Sequence, residues 1–205
     1  MNARRTPKNT SLNTKQSAQK KTTKASLRII AGQWRSRQLP IPNLEGLRPT
    51  PDRVRETLFN WLTPYIAGAN CADIFCGSGA LGLEALSRGA KQCTFIDNSS
   101  VVTKQMQSNL ATLGCQNAFV QQANAVDFLA APNPKERFDI VFIDPPFRQG
   151  WVNKLLPLLT ENWLNTNALI YLEMEKEVAM PDISQSWQLL KEKQAGQLIY
   201  RLYQC

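Results

Sequence analysis

Histidine is absent from the 205 residues of this chain. That absence excludes Ser-His-Asp and Cys-His catalysis and the common His-containing zinc sites, so any proton acceptor must be another side chain. The five cysteines are an odd number and include no Cys-x-x-Cys pair, which argues against a disulfide framework and a Cys-rich zinc site. We therefore expect reduced cysteines and no metal.

Long apolar runs are also missing, and the first part of the chain has no acid. No run approaches the roughly eighteen apolar residues that span a membrane, and no apolar segment of a secretory signal follows the basic start. The net charge is +8, and residues 1–28 hold eight Lys and Arg without one Asp or Glu. We expect a cytoplasmic protein with no membrane contact and a nucleic-acid partner, an organellar transit peptide being the alternative for the basic segment.

Composition divides the chain into three parts. Residues 1–26 are almost wholly polar or basic, so they lack the apolar side chains for a core and predict a disordered basic tail. Residues 27–49 join a β-rich run to a turn-rich stretch, which predicts a small N-terminal β-hairpin and a loop. Residues 50–205 should form the main domain and open on a helix, because Thr50 is suited to the N-cap and Pro51 to the first helical position.

From residue 70 onward, strand-like and helix-like apolar patterns alternate. The predicted strands cover 71–76, 92–97, 117–121, 138–144 and 168–173, and the predicted helices cover 80–88, 101–113, 125–130 and 151–162. Two last strand-like runs, 187–191 and 197–203, predict an antiparallel hairpin. We expect an α/β fold with a mostly parallel seven-stranded sheet and helices on both faces, with Trp151 and Trp163 in the core.

Three glycines stand at the end of a predicted strand and the opening of a predicted helix, in the segment from Asp73 to Gly82. Glycine permits a tight turn and a close approach of the backbone to a ligand, and the helix N-terminus offers N–H groups. A turn without a ligand is the alternative for this motif alone. The next strand ends in Asp97, whose carboxylate is suited to the two hydroxyls of a ribose. Together these signals favour a ribose-bearing cofactor.

Two cofactors compete for this site, a nicotinamide dinucleotide and S-adenosylmethionine. The first requires glycines that admit a pyrophosphate, whereas the second has no phosphate and carries an ammonium group. Asp73 has the charge to receive that ammonium directly or through water, and a merely polar role in the loop is its alternative. The absence of histidine and of an obvious Tyr-Lys pair argues against a dehydrogenase.

A strongly apolar strand runs into the sequence Asp144-Pro145-Pro146-Phe147. The prolines end the strand and offer no N–H donor, so a carboxylate and carbonyl groups lie beside an aromatic ring. A planar base with an exocyclic amine fits, because Asp144 and the Pro145 carbonyl accept its two hydrogens while Phe147 stacks on the ring. A proline-rich turn is the alternative, but it leaves the acid and the aromatic residue unexplained.

This last motif resembles motif IV of amino-group methyltransferases, and residues 27–205 are similar throughout to the bacterial 16S ribosomal RNA guanine-N2 methyltransferases of the RsmD type. The similar segments include 28–32, 48–56, 77–89 and 195–203. The resemblance implies a Rossmann-like class I fold that uses S-adenosylmethionine to methylate one guanine of 16S rRNA. Cys76 stands where alanine is frequent, and Asp97 where glutamate is common.

Carried over to this sequence, the resemblance implies sets of site residues. The cofactor would contact Asp73, Phe75, Gly77, Ser78, Gly79, Asp97, Asn98, Asn124, Ala125 and Asp144, and the target base Asp144, Pro145, Pro146 and Phe147. The expected RNA contacts are Arg28, Trp34, Arg35, Arg37, Arg48, Arg53, Arg55 and Arg148. Packing is the alternative for Trp34, and a solvated helix face for Arg53 and Arg55.

The expected partner is 16S rRNA within the small ribosomal subunit or an assembly intermediate, and the expected oligomeric state is a monomer. Two rival functions stay open on the sequence. An adenine-amino DNA or RNA methyltransferase needs the same pair of acceptors. A non-catalytic RNA-binding assembly factor needs only the fold and leaves Asp144 to Phe147 without a role.

Overall fold

The computed structural model describes residues 25–44, 47, 49–132, 137–181 and 187–205. Its strands are β1 (Ser26–Arg28), β2 (Gln38–Pro40), β3 (Asn70–Ile74), β4 (Gln92–Asp97), β5 (Ala118–Gln122), β6 (Phe138–Ile143), β7 (Leu164–Glu175), β8 (Gln188–Ala195) and β9 (Leu198–Gln204). Its helices are α1 (Asp52–Leu62), α2 (Ala80–Ser87), α3 (Ser100–Leu113), α4 (Ala125–Ala130) and α5 (Trp151–Asn162). Residues 1–24 of the predicted basic tail lie outside the described residues.

Within these ranges, seven strands form one sheet in the order β5-β4-β3-β6-β7-β9-β8. The strands from β5 to β7 in this order are parallel, whereas β9 runs antiparallel to β7 and β8 antiparallel to β9. β1 and β2 form a separate antiparallel pair. The predicted fold class is therefore confirmed. The chain reverses its direction of winding between β3 and β6, and in such sheets a ligand crevice opens at the carboxyl ends of these strands.

Two apolar layers cover the two faces of the sheet. The first layer joins the sheet to α1, α2, α3 and the β1–β2 pair, and the second joins it to α4 and α5. Successive residues of β3 alternate between them, with Cys71 in the first layer and Ala72 in the second. Because both faces are covered, β3 is buried at every position. No helix in the described residues is long and apolar enough to cross a membrane.

Several strands differ from the predicted ones at their ends. β3 ends at Ile74, because Phe75 turns the chain with a φ of 139°. β7 begins at Leu164 rather than at 168, and β8 extends to Ala195 rather than to 191. The added residues are mostly polar and exposed, so no apolar pattern reveals them. Backbone hydrogen bonds to neighbouring strands define them instead.

The β1–β2 pair is shorter than the predicted hairpin and is connected by a loop over residues 29–37. Leu27 and Leu39 face each other across the pair and are buried in the first core layer. Trp34, in the loop, is half-buried and packs against the same layer. Trp34 was expected to contact RNA, with packing as the alternative. Its position supports the packing role.

A buried carboxylate attaches this loop to the sheet domain. Glu84 of α2 is 0% exposed and accepts hydrogen bonds from the backbone N–H groups of Ile30 and Ala31, at 2.9 and 3.0 Å. It also forms ion pairs with Arg55 of α1 at 3.5 Å and with Arg88 at 2.7 Å. One side chain therefore joins three separate segments of the chain.

The prediction that Arg55 contacts RNA is wrong, because its side chain is only 1% exposed. Its guanidinium donates to the carbonyl oxygens of Arg28 and Thr50, at 2.9 and 3.2 Å, and pairs with Asp52 at 2.6 Å. Thr50 was predicted to be the N-cap of α1, and this prediction is wrong. Pro51 occupies that position, and the Thr50 hydroxyl bonds to Asp144 instead.

We predict that Glu84→Gln lowers the free energy of unfolding by about 3 kcal/mol, because it leaves the buried Arg55 guanidinium without its full countercharge. Urea unfolding measures this change. Glu56→Gln is the matched control, since Glu56 is exposed on α1 beside Arg55. Equal stability of the Glu84→Gln and Glu56→Gln proteins would contradict the prediction.

Candidate active site

A cavity of about 870 Å³ opens at the carboxyl ends of β3, β4, β6 and β7. Four carboxylates line it, one from the end of each of these strands: Asp73, Asp97, Asp144 and Glu173. Within the described residues, no Lys or Arg lines the cavity. Because a cavity wall shields charges less than bulk water does, this arrangement favours a ligand with positive charge and hydrogen-bond donors.

The glycine segment forms the turn between β3 and α2. Gly77, with a φ of 50°, lines the cavity, and its N–H donates to the carboxylate of Asp97 at 3.0 Å. Gly79 is the one predicted cofactor residue that does not line the cavity. It precedes α2 with a φ of 75°, and a Cβ atom there would lie 2.1 Å from Cε of Met106. The positive φ favours glycine at this position whatever the space around it, and a larger residue would also have to displace the end of the Met106 side chain.

Asp97 lies at the end of β4 and is half-buried. Its carboxylate also accepts a hydrogen bond from the N–H of Ser99, at 2.9 Å. The two backbone donors fix the carboxylate at the edge of the cavity, where Ser78 and Asn98 also lie. Asp97 thus holds the glycine turn and places its carboxylate at the cavity edge, where its contact with a ligand stays a prediction.

Asp73 is the most deeply buried acid of the cavity, with 3% of its surface exposed. Burial raises its pKa to about 7, although a hydrogen bond of 2.9 Å from the N–H of Gly82 acts in the opposite direction. A positively charged group in the cavity would stabilise the ionised form. This position is compatible with the expected role of Asp73 beside an ammonium group.

Asn124 and Ala125 stand at the start of α4 and line the same cavity. The Asn124 side-chain oxygen accepts from the N–H of Val126 at 2.9 Å and caps the helix. Phe75 and Trp151 form the neighbouring wall, with ring centroids 5.3 Å apart. Trp151 was expected in the core; it is half-buried and packs against the second core layer, and it also forms part of the cavity wall, whereas Trp163 is buried as predicted.

The segment Asp144-Pro145-Pro146-Phe147 follows β6 and also lines the cavity. In the sheet, β3 and β4 separate β6 from β5, the strand that Asn124 follows. Pro145 is buried and Phe147 is 42% exposed, so Phe147 is accessible for stacking on an incoming base. Burial raises the pKa of Asp144 well above its usual range, and the negative charge of Glu173 raises it further. The hydroxyl of Thr50 donates to Asp144 and lowers it.

Sequence reasoning missed Thr50 and Glu173 as cavity residues. Glu173 could have been found by the signal that selected Asp97 and Asp144, because it ends the predicted strand 168–173 as they end theirs. Thr50 gave no such signal. Its side chain reaches the cavity only because α1 packs on the first core layer.

The remaining residues predicted to contact RNA have different surroundings. Arg35, Arg53 and Arg148 are exposed, and Arg37 is exposed while donating to the carbonyl of Thr112 at 3.2 Å. Arg28 is exposed and paired with Asp52 at 2.8 Å. Arg48 lies outside the described residues. RNA contacts of the exposed arginines stay predictions.

Comparison with known proteins identifies the family of this chain. The family model described as Conserved hypothetical protein 95 matches residues 27–204. The chain belongs to this family, the RsmD family. It is 54% identical over 179 residues to the ribosomal RNA small subunit methyltransferase D of Escherichia coli, covering 87% of this chain and 89% of that protein. The protein of the same name from Haemophilus influenzae is 52% identical over 185 residues, covering 88% and 95%.

Two solved structures are similar to this chain over almost their entire length. An Escherichia coli structure, yhhF, has a TM-score of 0.80 and 54% identity, and covers 88% of this chain and 98% of its own. A Haemophilus influenzae structure has a TM-score of 0.77 and 48% identity, with the same two coverages of 88% and 98%. The recognition of the family from the sequence is therefore confirmed.

We predict a pH dependence of stability that originates in Asp73. With a pKa of about 7 when folded and an ordinary value of 3.8 when unfolded, the folded state binds more protons between these values. The free energy of unfolding should therefore fall as the pH rises from about 4 to about 7, by up to about 4 kcal/mol from this group. Urea unfolding of wild type and Asp73→Asn across this pH range measures the effect, and the pH dependence should be weaker in Asp73→Asn. Asp127→Asn is the control, since Asp127 is exposed, and it should keep the pH dependence of wild type.

Proposed function

We propose that this protein is a methyltransferase that transfers a methyl group from S-adenosylmethionine to the exocyclic N2 amine of a guanine in 16S ribosomal RNA. Its relatives named ribosomal RNA small subunit methyltransferase D support the class of substrate. The observation that carries the proposal is the cavity itself, where Asp144, the Pro145 carbonyl and Phe147 stand beside the residues suited to a nucleoside cofactor.

The charges of the cavity favour S-adenosylmethionine over a nicotinamide dinucleotide. A pyrophosphate would enter a space lined by four carboxylates and by no described Lys or Arg, which is unfavourable. S-adenosylmethionine instead carries a positive sulfonium and an ammonium group. When bound it would supply an electrophilic methyl group, whose bond to sulfur breaks on transfer so that S-adenosylhomocysteine leaves. Asp73 and the Phe75–Gly77 turn would hold its amino-acid part, Asp97 its ribose, and Asn124 with Ala125 its adenine.

The residues after β6 orient the attacking amine. Asp144 and the Pro145 carbonyl accept the two amine hydrogens, so the nitrogen lone pair is directed away from them, and Phe147 stacks on the base. When the N–C bond has formed, the nitrogen is cationic, and its extra proton leaves to Asp144 or to water. No strong base is needed, because alignment and acceptors at the developing positive charge supply the rate. The base must leave its stack to enter.

We predict that Asp97→Ala weakens binding of S-adenosylhomocysteine by about 1.5–3 kcal/mol, because it removes charge-assisted bonds to the ribose and loosens the Gly77 turn. Isothermal titration calorimetry measures the dissociation constant. Asp127→Ala, on the exposed side of α4, is the control and should bind as wild type does. An unchanged affinity of folded Asp97→Ala would remove this assignment.

We also predict that Asp144→Ala keeps most of the cofactor affinity but loses turnover by roughly 10²–10⁴-fold, whereas Asp144→Asn retains more because its amide still offers an acceptor oxygen. The assay is transfer of labelled methyl groups to small ribosomal subunits from cells lacking the protein, followed by nucleoside analysis. N2-methylguanosine is the expected product. Labelled N6-methyladenosine would favour the adenine-amine rival, and no transfer would favour a non-catalytic assembly factor.

A further inference from the structure

Glu173 is a buried carboxylate that the reaction described above does not use. It lies near the end of β7, only 6% exposed, and lines the cavity. The parallel register of β6 and β7 pairs Ile143 with Leu172, so the next residues along the two strands, Asp144 and Glu173, lie side by side. The negative charge of Glu173 raises the pKa of Asp144, so this proximity is a destabilising arrangement that the fold alone does not require.

A tyrosine holds this carboxylate in place. The hydroxyl of Tyr171, itself fully buried, donates to Oε1 of Glu173 at 2.7 Å. Tyr171 is the one hydrogen-bond donor to Glu173 within the described part of the chain. Its second oxygen, Oε2, is therefore the atom that can accept a hydrogen bond from a molecule in the cavity.

Guanine presents donors that match the two neighbouring carboxylates. Its N2 amine carries two hydrogens and the adjacent ring nitrogen N1 carries one, so three N–H bonds point from one edge of the base. The proposed mechanism uses the N2 hydrogens at Asp144 and at the Pro145 carbonyl. The next donor along that edge is N1–H, and the next acceptor along the cavity wall is Glu173.

Resting on the proposed function, we propose that Glu173 accepts a hydrogen bond from N1–H of the target guanine and thereby selects guanine over adenine. Adenine has an unprotonated N1, whose lone pair would face the carboxylate of Glu173 without a hydrogen between them. A site built around a buried acceptor rejects a base that lacks the matching donor, because the acceptor is then left unpaired. Asp144 can accept from the amine of guanine or from that of adenine, so it does not distinguish the two purines. In this proposal Glu173 distinguishes them.

The test replaces the target guanine by 2-aminopurine, which keeps the 2-amine and has no hydrogen on N1. Small subunits are reconstituted with rRNA carrying either base at the methylated position, and kcat/KM is measured for each. Wild type should prefer guanine by about 100-fold. In Glu173→Gln the amide oxygen can stay with Tyr171, so that its NH₂ group faces N1. We expect guanine methylation to fall by about 100-fold and the preference to shift towards 2-aminopurine by at least about tenfold.

Two further variants keep the test decisive. Tyr171→Phe retains the carboxylate but frees its orientation, and should reduce the preference for guanine by about fivefold even if Glu173→Gln folds poorly. Glu177→Gln, an exposed residue just beyond β7, should keep the wild-type preference. The role of Glu173 is overturned if both Glu173→Gln and Tyr171→Phe keep the wild-type ratio of kcat/KM for guanine to kcat/KM for 2-aminopurine. An equal loss of activity on the two bases leaves that ratio unchanged and counts as this outcome. A wild-type product other than N2-methylguanosine overturns the proposed function itself.

Discussion

The burial of Glu84 constrains both sides of the cavity at once. Through its bonds to Ile30 and Ala31 it fixes the N-terminal loop on α2, and through Arg55 it fixes α1. α2 begins at the glycine turn, whereas the segment before α1 supplies Thr50 to Asp144. One ionic cluster that lies outside the cavity therefore links the segments that carry the glycine turn and Thr50, two parts of the cavity wall.

The alternation of strands and helices could be predicted from the sequence because strands buried on both faces are continuously apolar and helices have an apolar stripe. The acids at strand ends, Asp97 and Asp144, could be predicted because parallel strands bring their carboxyl ends to one edge. The position of Arg55 could not, since an arginine on a helix surface and one inside an ion cluster look alike in sequence. Only the packing of α1 against Glu84 distinguishes them.

The same limit explains the error at Thr50 and the unforeseen place of Trp151 in the cavity wall. A threonine before a proline is a good N-cap by local rules, yet the chain turns one residue later and the hydroxyl is taken by Asp144. Trp151 has the spacing of a core residue, but α5 begins at the edge of the cavity, so its first residue packs on Phe75 in the wall. Local patterns identify elements, and tertiary packing decides what their first residues contact.

The four cavity carboxylates fall into two pairs by the type of group that holds them. Asp73 and Asp97 accept hydrogen bonds from backbone N–H groups, which can only donate. Asp144 and Glu173 are held by the hydroxyls of Thr50 and Tyr171. A hydroxyl can donate to a carboxylate or accept from a carboxylic acid, so either protonation state keeps a partner. The first pair suits a ligand whose positive charge is permanent, and the second suits an amine that releases a proton during the reaction.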